Sequence, residues 1–178
     1  VAPILREVLH QRGLGEQAVH LAHSFERVMP GDKYLESITH FWRVYAGATI
    51  EAADECEAFL ASFVDVEHFP LMRLSSMTAS ETAKVMENTY RAMNIAFIDE
   101  WTKYAEVVGI DLYEVIDAIR VRPTHSNIRV PGLGVGGYCL TKDPAFTPVA
   151  ARQLFGIDKL DFPLSQLTMN INQKMPMH

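Results

Sequence analysis

Apolar residues at Ile4, Leu5, Val8 and Leu9 recur at helical spacing until Gly13 and Gly15 interrupt them, which predicts an opening helix and a turn. The short apolar run Ala18 to Ala22 that follows has the length of a strand. Residues 30 to 40 are polar and punctuated, whereas Trp42 to Ala46 (WRVYA) is rich in β-formers and ends at Gly47, so a second strand is expected there. From Glu51 to Ser62, Ala52, Cys56, Phe59 and Leu60 share one helical face, and Phe69 to Leu74 reads as another strand. This alternation of helix and strand predicts an α/β layer on a mostly parallel sheet.

Beyond residue 75 the pattern changes. Thr78 to Val108 contains neither Pro nor Gly and keeps Ala, Met, Ile and Phe recurring every three or four residues, the mark of one long helix. Gly109 ends it, and Asp111 is placed to cap a second helix through about Ile119. Arg120 to Tyr138 holds Pro, Gly and Asn and reads as a long loop, before helical patterns return at Pro144 to Phe155 and Pro163 to Asn172. The expected boundary lies near residue 75, between an α/β part and an all-helical part. There is no internal repeat. The chain opens on an amphipathic pattern with no initiator Met, from which we expect it to begin inside a larger protein.

The 178 residues are 48% hydrophobic and 21% charged, enough apolar mass for a sizeable core and too much for a disordered chain. A formal charge of -6 offers no basic field for nucleic acid or an anionic bilayer. No apolar run approaches the ~20 residues of a membrane span, and the first residues lack the order of a signal peptide. The two cysteines, Cys56 and Cys139, lie far apart and outside any metal-ligand spacing, which argues against a disulfide scaffold or a zinc module and favours a reducing cytoplasm. The seven histidines form no HExxH-like arrangement, so no metal is expected.

Three places carry candidate chemistry. Pro131 to Asp143 reads PGLGVGGYCLTKD and holds a formal G-x-G-x-x-G at Gly132, Gly134 and Gly137. A dinucleotide fingerprint needs a strand before it and a helix opening on its last glycine, and here a Pro-containing loop and Cys139 stand in those places. The glycines are better read as folding the backbone tightly around Cys139, with Lys142 close enough to favour a nucleophilic thiolate. Cys56, on an apolar helix face, reads as an inert core thiol. On the long helix, Lys84 and Asn88 are spaced i, i+4 and project from one face, a pair suited to clamping an oxyanion. Its neighbours Ala83, Met86, Ala92, Met93 and Phe97 predict a helix surrounded on several sides, in which Lys84 needs a partner. Glu26, in Ser24-Phe25-Glu26-Arg27, follows the first strand, where catalytic groups of α/β folds gather, although a loop ion pair explains it equally well.

Three segments together resemble the nucleotide-sugar 6-dehydrogenases, the family of UDP-glucose, GDP-mannose and UDP-N-acetylhexosamine dehydrogenases: SETAKVMENTYRAMNIAFIDE (80 to 100), PGLGVGGYCLTKDP (131 to 144) and SFERVMPG (24 to 31). Their order and separation match over nearly the whole chain. The resemblance implies the end of an NAD-binding Rossmann-like domain in residues 1–75 and a central helical dimerisation domain with a catalytic cysteine loop in 76–178. It implies Cys139 as the nucleophile that captures a C6 aldehyde as a thiohemiacetal and carries it to a thioester, Lys84 and Asn88 as the oxyanion and water-holding pair, Asp143 as a supporting aspartate and Glu26 as the carboxylate of hydrolysis. It further implies Gly136, Gly137 and Tyr138 at the substrate, Lys142 at the cofactor, and an arginine, Arg122 or Arg129, lent across a homodimer interface. Substrate and cofactor are then a nucleotide sugar and NAD, two NAD per sugar oxidised, with no metal. Phe25 stands where the family usually has Pro, and the ERVMPG ending is similar to the N-acetylhexosamine branch. The family's dinucleotide fingerprint and C-terminal nucleotide-binding domain have no counterpart in these residues. Two other readings remain open at this point: a non-catalytic helical dimerisation module that keeps the motifs, and a hydrolase pairing Cys139 with His125.

Overall fold

The computed structural model describes residues 2 to 178 and divides into two compact units, one up to Lys84 and one from Val85 onward. The first contains α1 (Ala2–Gln11), β1 (Ala22–Phe25), α2 (Tyr34–Thr39), β2 (Val44–Gly47), α3 (Ile50–Ala61), β3 (Met72–Arg73) and the opening turns of α4 (Met77–Val108). Its sheet runs in the order β1-β2-β3, with β1 antiparallel to β2 and β2 parallel to β3. The sheet is therefore mixed rather than mostly parallel. The β2–β3 connection holds the 12-residue α3, long enough to cross the sheet and return the chain to its starting edge. The β1–β2 connection holds only the six-residue α2, and the chain comes back antiparallel.

The first strand lies later than the apolar run predicts. Ala22 pairs with Gly47 and Phe25 with Val44, and β2 gives way to the α3 cap just past Gly47. After the Leu21 carbonyl accepts from Ala48 N–H at 2.8 Å, the earlier residues have no ladder to join. A Cβ on Gly47 would lie 2.3 Å from the Ala53 nitrogen, so only glycine lets the strand turn this closely into the helix. Thr49 caps α3 by accepting from Ala52 N–H at 3.1 Å. Helix α2, inside the stretch read as polar and punctuated, is held by buried Ser37, whose hydroxyl donates to the Tyr34 carbonyl and accepts from Met29 N–H.

Tyr45, Ala53 and Leu60 form the core of this unit, with Cys56 and Leu71 packed against them. Phe59 does not share that face as expected: it is exposed and pairs edge-on with Phe63 at 5.4 Å, while Ala53 takes its place inside. Burial, and then its hydrogen bond to Glu57, push the Tyr45 phenol up to about 12.

The second unit holds the rest of α4, α5 (Leu112–Arg120), a single 3-10 turn at Pro123–His125, the long loop, another 3-10 turn at Asp143–Ala145, α6 (Phe146–Gln153) and α7 (Pro163–Lys174). The long-helix expectation holds to within a residue, and Asp111 caps α5 as expected, accepting from Tyr113 N–H at 2.9 Å. Ile98, Ala105, Leu112 and Ile116 make the core, with Ile128 of the loop against them. Asn172 of α7 donates to the Ala92 carbonyl of α4 at 3.1 Å.

The two long sides of α4 differ. Asn88, Ala92, Ala96 and Asp99 repeat at helical spacing and are buried. Met86, Tyr90, Phe97, Trp101, Tyr104 and Val108 form an exposed stripe, with Trp101 edge-on to Tyr104 at 5.5 Å. Within the single chain Met86 and Phe97 are exposed, so its own fold covers this helix from the other side.

Asp99 is 1% exposed, and its Oδ2 has no hydrogen-bond partner. Burial raises its carboxyl above the ordinary range, against a smaller opposing pull from Lys103. A carboxyl raised in the folded state favours folding when protonated and opposes it when charged, so its contribution falls as pH rises through the unfolded and then the folded pKa. Asp99→Asn is expected to raise the melting temperature at pH 7 and to lose that advantage near pH 3. A lower melting temperature at pH 7 would show instead that the charged form is well paired.

Candidate active site

The Cys139 carbonyl accepts N–H bonds from both Lys142 (3.2 Å) and Asp143 (2.9 Å), which folds residues 139 to 143 into a tight turn. The Thr141 hydroxyl donates back to the Gly137 carbonyl at 2.9 Å, closing the turn from the other side. Ahead of it, Gly134 adopts φ +88° and a Cβ there would meet Met175 and the Asn172 carbonyl at about 3.0 and 3.1 Å, so the loop lies flat on the end of α7. Cys139 itself is exposed.

Asp143 anchors this turn from within. It is 6% exposed, and both carboxylate oxygens are engaged: Asn88 Nδ2 donates to Oδ2 at 2.7 Å and Lys142 Nζ to Oδ1 at 2.8 Å. Asn88, only 1% exposed, comes from the buried side of α4. An aspartate at this depth is tolerable because each oxygen has a donor, one of them charged. The Lys142 ammonium is held above the ordinary lysine range, first by its hydrogen bond to Asp143 and further by the charges of Asp143 and Cys139, with desolvation opposing.

In the first unit, Glu26 directly follows β1, at the carboxyl end of that strand. Its carboxylate accepts from Val28 N–H, and its own carbonyl accepts from Lys84 Nζ at 2.8 Å. Lys84 also sits 5.6 Å from the centre of the buried Phe25 ring, which Arg27 approaches at 4.9 Å. This is the partner that the sequence required of Lys84. Phe25 thus supplies a ring against which both cations rest.

Lys84 and Asn88 stand one turn apart on α4, each already holding one oxygen of its own unit. A lysine carries three donors and an amide nitrogen two, so each keeps donor capacity for a further oxygen.

Gly136, Gly137 and Tyr138 lie exposed beside Cys139, Tyr138 at 89%. Arg122 is exposed at the head of the Pro123–His125 turn, on a different element from the cysteine turn. His125 bonds its neighbour Thr124 through Nδ1 at 2.9 Å. The segment Gly132 to Gly137 is coil with no strand before it, and a 3-10 turn rather than an α-helix opens after Lys142, so it does not fit a pyrophosphate cradle. Cys56 is partly buried, and burial pushes its thiol up, in keeping with an inert core cysteine. Among the described residues no group of three His, Cys, Asp or Glu side chains is placed to hold a metal, and no helix is long and apolar enough to cross a membrane.

One residue of the turn escaped the sequence reading. Phe146 places its ring 4.5 Å from Lys142 Nζ. An aromatic four residues after a lysine is a weak signal when Pro144 interrupts the helix between them.

Residues 78–174 match the family model described as the UDP-glucose/GDP-mannose dehydrogenase family, central domain. The chain belongs to this family. The matched span includes Lys84, Asn88, Cys139, Lys142 and Asp143 and leaves Glu26 outside. The chain is 36% identical over 157 residues to a UDP-N-acetyl-D-mannosamine dehydrogenase of Pyrococcus horikoshii, covering 88% of this chain and 34% of that one. It is 32% identical to an NDP-N-acetyl-D-galactosaminuronic acid dehydrogenase of Ralstonia nicotianae, over 80% of this chain and 32% of that one. The solved structure of the UDP-D-ManNAc dehydrogenase from Pyrococcus horikoshii superimposes with a TM-score of 0.80 at 34% identity, over 97% of this chain and 38% of that chain. The chain spans about a third of the length of the curated relatives it matches.

Removing the amide that holds Asp143 leaves a buried carboxylate oxygen without its donor. Asn88→Ala is expected to destabilise the second unit by about 1 to 3 kcal/mol in urea unfolding. A change below about 0.5 kcal/mol, the usual size for surface positions, would mean that water replaces the amide freely.

Proposed function

We propose that this chain is the catalytic-thiol portion of an NAD-dependent nucleotide-sugar dehydrogenase that oxidises the C6 alcohol of the sugar to a carboxylate. The observation that carries the reading is the cysteine turn. An exposed thiol is presented by a backbone loop whose buried anchor, Asp143, is held by Asn88 of the long helix. In this reading residues 1–75 end the NAD-binding domain and 76–178 form the central dimerisation domain. The relatives' names favour a nucleotide-linked N-acetylated hexosamine as substrate, as does the ERVMPG segment. Two free cysteines fit a cytoplasmic protein.

NAD would supply the hydride acceptor for each oxidation at C6, two per sugar, and Lys142 is the residue of this chain that would face it. The described residues provide no dinucleotide cradle, so the proposal concerns what this chain's own side chains do. Cys139 Sγ adds to the C6 aldehyde and tethers it as a thiohemiacetal, which retains the intermediate between the two oxidations. Lys84 and Asn88 stabilise the oxygen of that adduct and of the thioester that succeeds it. Glu26 takes a proton from the water that releases the acid. Asp143 keeps the turn in place, Gly136, Gly137 and Tyr138 border the sugar, Lys142 faces the cofactor, and Arg122 reaches a neighbouring subunit's substrate.

In the complete enzyme, Cys139→Ala is expected to abolish acid formation while Cys56→Ala leaves turnover largely intact. Lys84→Ala is expected to lower kcat by roughly a hundred- to thousandfold, the loss of one oxyanion donor at ~2.7 to 4 kcal/mol, with a smaller effect on KM. Undiminished acid formation by Cys139→Ala would rule out the thioester route.

The exposed stripe from Met86 to Val108 has the three- and four-residue spacing of a helix seam, and an isologous pairing with a second copy is the commonest way to cover such a face. Light scattering at micromolar concentration is expected to give twice the monomer mass, and Trp101→Glu to shift it toward the monomer. A strictly monomeric unmodified chain would refute the homodimer.

A further inference from the structure

We propose that Phe146 is a positioning residue for the cysteine turn, its ring holding the Lys142 ammonium within electrostatic reach of the Cys139 sulfur. The inference rests on Cys139 being the working nucleophile, and adds a residue that neither the motif nor the family resemblance assigned.

The backbone brings the three side chains together. Lys142 and Asp143 N–H both bind the Cys139 carbonyl, Ala145 N–H binds the Lys142 carbonyl at 2.9 Å, and Phe146 N–H binds the carbonyl of Asp143. Two successive turns thus fix the starting points of the Lys142 and Phe146 side chains relative to Cys139. A lysine on a loop ordinarily samples many rotamers, and this one is about half exposed. Its ammonium is nevertheless bounded on two sides, by Asp143 Oδ1 at 2.8 Å and by the Phe146 ring centre at 4.5 Å. The aspartate cannot follow the ammonium outward, because its other oxygen is bound to buried Asn88. The ring begins α6, so it is carried on a helix rather than on the loop. A cation at this distance from a ring face is attracted by the negative face of the π-system.

Within residues 139 to 146 (CLTKDPAF) the Lys142 ammonium is the one positive charge. The turn contributes Asp143 and the thiol, and α4 contributes the neutral amide of Asn88. Helix α6 has one charged residue, Arg152, near its far end. Helix α7, packed on the Asp143–Ala145 turn, has only Lys174, in its last turn.

The test compares two reagents of similar size that differ in charge. Iodoacetate is drawn to a thiol with a cation beside it, whereas iodoacetamide is not, so the ratio of their rates reads local charge and is insensitive to accessibility. The ratio is measured on the 178-residue chain at low salt, following the Cys139 peptide by mass spectrometry. Lys142→Met is expected to lower it by about two- to fivefold, the scale of a single charge near the surface. Phe146→Met, which keeps bulk without the ring, is expected to lower it in the same direction, Phe146→Tyr to leave it unchanged, and the double variant Lys142→Met/Phe146→Met to match Lys142→Met alone. Phe146→Leu takes the place of Phe146→Met if that variant does not fold. An unchanged ratio in either single loss variant, or an equal drop on removing the ring in the Lys142→Met background, would overturn the proposal. Such a result leaves the nucleophile reading standing, since that reading is decided separately by turnover of Cys139→Ala.

Discussion

A carboxylate buried in its charged form is costly unless its oxygens find donors, and Asp143 finds Asn88 on one side and Lys142 on the other. Everything around Cys139 follows from this arrangement. The Asn88 bond draws the chain onto α4, and the Asp143 N–H draws the Cys139 carbonyl in behind it. With the backbone satisfied inward, the side chain of Cys139 is left facing outward. The turn can therefore be rigid while the thiol stays accessible, a combination that a free glycine-rich loop does not supply.

The long helix serves this arrangement because its two sides are unlike. Small residues, Ala92 and Ala96, let neighbouring segments approach closely enough for Asn172 to reach the Ala92 carbonyl. Asn88 and Asp99 are polar residues of that face, one donating to Asp143 and the other buried with an oxygen unpaired. The opposite side carries large aromatic residues in the open. The 32-residue helix thus has a polar-lined face buried by its own chain and an exposed aromatic face.

In the first unit the organising feature is the central strand β2. Val44, Tyr45 and Ala46 are all buried, so β2 is covered on both faces and paired at both edges. Its antiparallel partner β1 sets the buried Phe25 opposite Val44, and the chain leaves that strand at Glu26. The Glu26 carbonyl is then held by Lys84, and the buried Phe25 ring lies under the same ammonium. Phe25 thus takes up a packing role in this chain.

Several elements were readable from local pattern alone, because their determinants are local. The long helix, the Gly109 stop and the Asp111 cap depend on spacing and on side-chain chemistry within a few residues. The motif residues could be named, and the glycines around Cys139 were distinguished from a dinucleotide cradle by their flanking residues. Other features were decided only when distant segments met. The start of β1 is set by where β2 ends, the orientation of β1 by the short span of α2, and the choice of Ala53 over Phe59 by which side of α3 the sheet presents. The partners of Lys84 and Asn88 lie 58 and 55 residues away, and no periodicity encodes a carbonyl or a carboxylate at that remove. Sequence pattern determines which side chains stand on one face of an element. Only the packing of elements decides which buried polar groups must satisfy one another, because that requirement arises when water is excluded from between them.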